Sequence, residues 1–281
     1  MRRDPRELLP PPVRIGATVG FVLAITLPIA FMLLLSVTPD PEIGTGSLIP
    51  SHWAFDNYAR MWSTVNLGRG LANSLVICGI SSTVAVVFAV GAAYVLSRFD
   101  FRGRFPYLYS LIALQSVPHV MLLLPLFVLF SSIQTAIPFR LIGTYQGPVI
   151  TYLTFALPLA TWLMVSYLSS IPVELEEAAL VDGAAPTQIF RHILVPQLGP
   201  VIALLTVLRF IMTFNKFDDV YLLTGGGAGT EVVSVRVYEY LTARFDIGAA
   251  SAQALVLAAG LVVLLVIYLK FLAPRVEGEE D

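Results

Sequence analysis

The chain is 281 residues long with a formal net charge of -2; 57% of its residues are hydrophobic, 13% are charged, and its mean hydropathy is +0.80. Soluble domains carry about 25% charged residues, so the apolar excess here faces lipid. A pI near 5.9 without a Lys/Arg-rich run excludes a nucleic-acid partner, and a single cysteine, Cys78, excludes a disulfide framework and a cysteine metal site.

A membrane-crossing helix needs about 20 mostly apolar residues. Six stretches qualify in chain order: 15–37, 72–96, 106–131, 145–168, 198–217 and 248–272. The fold class expected is therefore an all-α membrane protein with six transmembrane helices. The first stretch follows Arg2, Arg3, Arg6 and Arg14, as a signal peptide would. Its apolar run is too long for one, and Thr38-Pro39-Asp40-Pro41 offers no small-x-small cleavage site, so it reads as an uncleaved span. After it, Trp53-Ala54-Phe55-Asp56-Asn57-Tyr58 reads as a short interfacial helix with an aromatic anchor.

Positive loops stay in the cytoplasm. Arg2, Arg3, Arg6, Arg14, Arg98, Arg102, Arg104, Arg191, Lys270 and Arg275 fall on one side of a six-span thread; Arg60, Arg69, Arg140, Arg236 and Arg244 fall on the other. The bias puts both termini, and the loop 169–196, in the cytoplasm. Three segments follow: residues 1–71 with the first span and outer loop, a core 72–272, and an acidic tail 273–281. No inverted repeat of the secondary-transporter kind is present.

In the third stretch Gln115 and His119 sit one turn apart, placed to bond a solute's hydroxyls or to tie two spans together. Pro118, Pro125 and Pro158 are expected to kink their helices.

The loop 169–196 reads as two short helices with a break. Pro172 suits a first turn, and Glu174, Glu176 and Glu177 sit where the helix dipole favours carboxylates. Gly183 can take the left-handed conformation that ends a helix, and Pro186 restarts the chain.

The fifth stretch carries Arg209 and Lys216. On an ideal helix Thr206, Arg209, Thr213 and Lys216 share an arc of about 80°. Charges at mid-bilayer are costly, so such a stripe is a candidate translocation path. Lys216, Asp218 and Asp219 lie near the end of the stretch, where snorkelling to water is the alternative reading. Ser251 and Gln253 in the last stretch are comparable to Gln115 and His119, placed to bond a solute's hydroxyls or to tie two spans together, with Gln253 a path candidate. The glycine-rich Gly225-Gly226-Gly227-Ala228-Gly229 lacks the Gly-Lys-Ser/Thr ending of a phosphate-binding loop. It is either an ordinary connector or a segment slim enough to enter a cleft.

The run Glu177-Ala178-Ala179, Asp182-Gly183, Ile193 and Pro196 resembles the EAA loop of binding-protein-dependent ABC importer permeases. Asn73-Ser74, Ala93-Tyr94, Phe101-Arg102-Gly103-Arg104 and Leu157-Pro158 resemble the carbohydrate branch of that family, in the manner of the second maltose-type permease subunit. Two positions depart from the pattern. Ala185 stands where Ser or Thr usually caps the second helix, and Phe214-Asn215-Lys216-Phe217 replaces the usual W-N-E-F. The segment from Phe217 to Gly227 looks more like the partner permease of such pairs, which leaves the substrate open.

The resemblance implies a type I importer fold in the inner membrane. It also implies a second permease subunit, a dimer of cytoplasmic ATPase subunits and an extracytoplasmic solute-binding protein. No cofactor is implied for this chain; ATP and Mg would be bound by the ATPase partners. Glu177 and Gly183 would then serve for docking and hinge, and Gly225, Gly226, Gly227 and Gly229 would face the binding protein's sugar cleft. The alternatives are a secondary transporter of small polar solutes and an importer of glycerol-phosphate-type substrates. A membrane enzyme is excluded, because His52, His119 and His192 are dispersed in the sequence.

Overall fold

The computed structural model describes residues 10–45, 49–63 and 66–271. Arg2, Arg3, Arg6, Arg275 and the 273–281 segment lie outside them. Helices account for almost all regular structure, and the described residues contain no strand. The chain divides into two units, residues up to 67 with 237–258, and residues 68–236 with 259 onward.

In the first unit, α1 (Pro11–Ser36) is apolar on every side, with Phe21 and Leu27 fully presented to the surroundings. A helix of this kind is a membrane span. Its end is tied to α2 (Asp56–Ser63): the buried Asn57 Nδ2 donates to the Ser36 carbonyl at 3.0 Å, and Ser36 Oγ meets Tyr58 OH at 2.8 Å. A short helix is thus present close to the expected place, over Asp56–Ser63 rather than 53–58, with Trp53 and Phe55 exposed before it. The helix α12 (Ile247–Phe271) starts under two carboxylates. Asp246 Oδ1 accepts from Ala249 N at 2.9 Å, an N-cap geometry, while Asp40 Oδ1 accepts from Gly248 N at 3.0 Å. Gly248 is there for closeness, since a Cβ would sit 2.7 Å from Asn57 Nδ2 and 3.1 Å from the Thr38 carbonyl. Burial raises the Asp40 carboxyl above its ordinary range; the Gly248 amide opposes this and the neighbouring Asp246 adds to it.

The second unit is built on α3 (Leu67–Arg98), α6 (Gln146–Leu168) and α9 (Val195–Phe214). Val86, Val90 and Ala93 pack with Met164 and Leu168 and with Leu198 and Leu205, and Ile171 and Leu194 close this core at one end. Among the described residues, six helices are long and apolar enough to cross a membrane.

The third span departs from expectation. Instead of one helix over 106–131, α4 (Arg104–Ser116) stops and α5 (His119–Ala136) begins after Val117-Pro118. Pro118 has no amide hydrogen, and its ring forces Val117 out of the helical region, to φ -84° and ψ 125°. The crossing segment is therefore His119–Ala136. Pro125 and Pro158 stay inside their helices.

The fifth span also differs. It begins before 198, because α8 (Pro186–Ile189) runs through a π-helical turn, Phe190–Leu194, directly into α9. It ends earlier than expected, at Phe214, with Asn215 as its cap. Lys216 therefore lies beyond the helix, in the link to α10 (Asp218–Thr224).

Candidate functional site

A cavity of about 330 Å³ opens in the second unit between the break of the third span, α6 and the end of α9. Gln115 and His119 reach it from the two sides of the Pro118 break, Tyr152 and Phe155 from α6, Arg209 and Thr213 from α9, and Lys216 from the link. Five of the seven path candidates are thereby brought together. Thr206 is not among the lining; its hydroxyl returns to the Ile202 carbonyl at 2.7 Å. Gln253 belongs to the first unit, where it is fully buried and finds no hydrogen-bond partner among the described residues.

Arg209 is 6% exposed, and its Nε and Nη2 find no hydrogen-bond partner among the described residues. Lys216 Nζ lies 3.4 Å from Asp219 Oδ2, and 5.2 Å above the ring of Phe155. Asp219 is fully buried, so snorkelling does not account for it. Its place in the first turn of α10, beside a cation, answers part of the desolvation cost. His119 Nε2 stands 3.9 Å from Asp218 Oδ2 and meets Phe155 edge-on at 5.7 Å. The lining is thus amphipathic, with the half-buried ring of Phe155 among cationic and polar groups, while Tyr152 is 2% exposed and packs with Ile77 and Val220. A lining of this kind is chemically suited to hydrogen bonding with a hydroxyl-rich solute. Tyr152 and Phe155 were not singled out by sequence, and Asp219 was read only as a residue near the water boundary, not as a buried partner of Lys216. The i, i+3 spacing of Lys216 and Asp219 was the available signal for the last.

The glycine-rich segment follows α10 and is fastened. Gly225, Gly226 and Gly229 all have positive φ. Asn73 Nδ2 donates to the carbonyls of Gly229 and Glu231, both at 2.8 Å, while Asn73 Oδ1 accepts from Tyr145 OH at 2.7 Å. The Val233 amide donates to Ser74 Oγ at 3.0 Å, and Glu231 pairs with Arg236. Gly226, Gly227 and Gly229 line a small polar cup with Arg69 and Asn73.

The loop after α6 forms two helices with a break. In α7 (Glu174–Val181) the chain ends on Gly183 at φ +84°, whose amide donates to the Leu180 carbonyl while that of Ala184 donates to Ala179. This is a Schellman closure. The second helix starts at Pro186 without a hydroxyl cap, and Gln188 Oε1 instead accepts from the Ala185 amide at 2.7 Å. Glu177, Ala178, Asp182 and Gly183 are exposed, Ala179 and Ile193 are half-buried, and Pro196 opens α9. The exposed face also carries Leu175, Leu180 and Val181, the last 87% exposed. Glu176 is the one buried residue of α7, and it pairs with Arg98. In the sequence Arg98 counts only towards orientation, and nothing there separates Glu176 from its neighbours.

Comparison with known proteins agrees with this architecture. The chain is 36% identical over 197 residues to the trehalose transport system permease protein SugB of Mycobacterium tuberculosis, covering 70% of this chain and 69% of the relative. It is 31% identical over 227 residues to the diacetylchitobiose uptake system permease protein NgcG of Streptomyces coelicolor, covering 76% and 72%. Its fold matches a chain in the crystal structure of a bacterial ABC transporter involved in the import of the acidic polysaccharide alginate. There the TM-score is 0.70, the identity 21%, and the coverage 94% of this chain and 99% of the other. Residues 85–278 match the family of binding-protein-dependent transport system inner membrane components, and the chain belongs to that family.

Proposed function

We propose that this chain is a permease subunit of an ATP-driven importer for a sugar or oligosaccharide. It forms the translocation path with a second permease subunit and is driven through the loop 169–196. The observation that carries this reading is the shape of α7. It leaves Glu177, Leu180 and Val181 outward and turns sharply at Gly183, so it is a small acidic and apolar protrusion suited to a groove on another protein. In this reading the groove belongs to one of two cytoplasmic ATPase subunits, which bind the ATP and Mg, and both termini lie on that side. The transport core spans 72–272. The fastened glycine segment, Gly225 to Gly229, faces an extracytoplasmic binding protein.

The names of SugB and NgcG support a saccharide as substrate, as does the ring of Phe155 beside Gln115 and Arg209 in the cavity. The test is purification of the chain with the subunits that co-assemble with it, followed by reconstitution in vesicles. ATP hydrolysis should rise several-fold when the binding protein is added with the solute it carries, and that solute should accumulate inside. Accumulation driven by an ion gradient, without ATP, would replace this reading with a secondary transporter.

A further inference from the structure

Arg98 is the last residue of α3. Its Nε donates to Glu176 Oε1 at 2.5 Å, and its Nη2 donates to the Ile171 carbonyl at 3.1 Å. Both side chains are nearly enclosed, 7% and 10% exposed. One turn earlier on α3, Tyr94 meets Phe190 edge-on at 5.4 Å. Two successive turns of α3 thus hold the loop on both sides of its break: Arg98 the α7 side, Tyr94 the side that runs into α9.

A buried ion pair is a poor way to gain stability, since apolar residues of similar volume do as well or better. Its advantage is direction. The guanidinium offers donors in a fixed planar fork, so it fixes the orientation of the carboxylate as well as its position. Directional control is what α7 otherwise lacks. Eight residues long, it buries Glu176 and nothing else. An apolar contact at one point would let such a helix roll about its own axis; two donors from one arginine, one to the side chain and one to the chain just before α7, stop the roll. A push on the outward face of α7 then reaches α3, whose Val86, Val90 and Ala93 sit in the core with α6 and α9.

We propose that Arg98 is a positioning residue, locking α7 to the end of α3 through Glu176 so that the two move as one body during transport. The proposal rests on the reading of α7 as the seat of an ATPase subunit. The test uses the complete complex in lipid nanodiscs, with Cys78→Ala and spin labels on cysteines placed at Val181 and Phe88. Pulsed EPR distances are recorded without nucleotide and after trapping with ATP and vanadate.

The expected result is one narrow distance, unchanged by trapping. Arg98→Ala and Glu176→Gln should broaden it at least twofold, Arg98→Lys should give an intermediate width, and the exchange R98E/E176R should restore the narrow distribution. A purely structural pair would lower the yield of complex and leave the width of the surviving complexes alone, which overturns the proposal. So would a wild-type distance that changes on trapping, or an exchange variant as broad as the single variants. The underlying reading is checked separately: a fluorophore at Val181 should become accessible to an aqueous quencher when the ATPase subunits are stripped off. No change there would reject the ATPase seat, while the distances still judge the coupling of α7 to α3.

Discussion

Lys216 Nζ and Asp219 Oδ2 stand 3.4 Å apart across the turn between α9 and α10, with the aspartate fully buried and the lysine side chain 26% exposed. The two ends of this pair are therefore not equivalent. Removing the lysine leaves a fully buried carboxylate without its cation, whereas removing the carboxylate leaves an ammonium that can still reach solvent. Lys216→Met should lower the stability of the assembled complex by about 3 kcal/mol, and Asp219→Asn by clearly less. The double variant should recover part of the loss seen with Lys216→Met. Thermal unfolding in detergent measures all three, and equal losses for the two single variants would show that the aspartate is hydrated.

Arg209 supplies a fixed positive charge to the cavity wall, since a guanidinium has no neutral form at physiological pH. Arg209→Ala should reduce transport per assembled complex at least tenfold, or change which solute is carried, with the amount of complex preserved. Arg209→Lys should retain part of the activity if charge alone matters, and less if the planar fork is used. Unchanged activity per complex with less complex would make Arg209 a strut between helices.

Gly183→Pro and Glu177→Lys act at the turn that closes α7 and on its exposed face. Both should abolish uptake while membrane insertion is intact. For Gly183 the reason is local: its amide donates to the Leu180 carbonyl and its φ is +84°, and proline permits neither. Uptake at the wild-type rate in a fully assembled complex would refute the coupling role.

Orientation is open to a direct check. In a Cys78→Ala background, cysteine at Ala184 should react only with reagents that reach the cytoplasm, and cysteine at Ala228 only with those applied outside. Labelling of both from one side would overturn the six-span thread.

The Asp40 carboxyl, raised by burial and by Asp246, sets a pH dependence of known sign. A raised group contributes stability that is complete below the ordinary carboxylate value and is lost as pH rises through the raised one. Arg60 and the Gly248 amide oppose the shift without reversing it. Asp40→Asn keeps an acceptor for Gly248 and carries no charge, so it should flatten the fall in stability as pH rises above the ordinary carboxylate value. Melting curves of the two proteins across that range decide it; parallel curves would assign the slope to another group.

Much of this was legible in the sequence. Hydropathy located the spans, because lipid imposes a minimum length of apolar helix. Gly183 marked the end of α7, because few other residues close a helix with positive φ. What could not be read were relations between distant segments. Which of Glu174, Glu176 and Glu177 turns inward depends on the roll of α7, and that is fixed by Arg98, 78 residues earlier in the chain. The stripe on α9 assumed a helix continuing through Lys216. It stops at Phe214, and Lys216 reaches the same cavity from the link instead. Asp219 looked like a boundary residue, because sequence cannot show that α10 folds inward against α5 and α6.

The interruption at Pro118 has a chemical consequence for the cavity wall. Helix ends leave amide hydrogens and carbonyl oxygens without helical partners, and here an end and a beginning meet within one apolar stretch, beside Gln115 and His119. In the importer reading, main-chain groups freed at the break add donors and acceptors for a solute to those of Gln115 and His119. Recognition built this way survives replacement of neighbouring apolar residues by one another, but not removal of the proline. Relatives could therefore change Leu114, Val117 or Leu122 to fit solutes of different width and keep the same polar contacts.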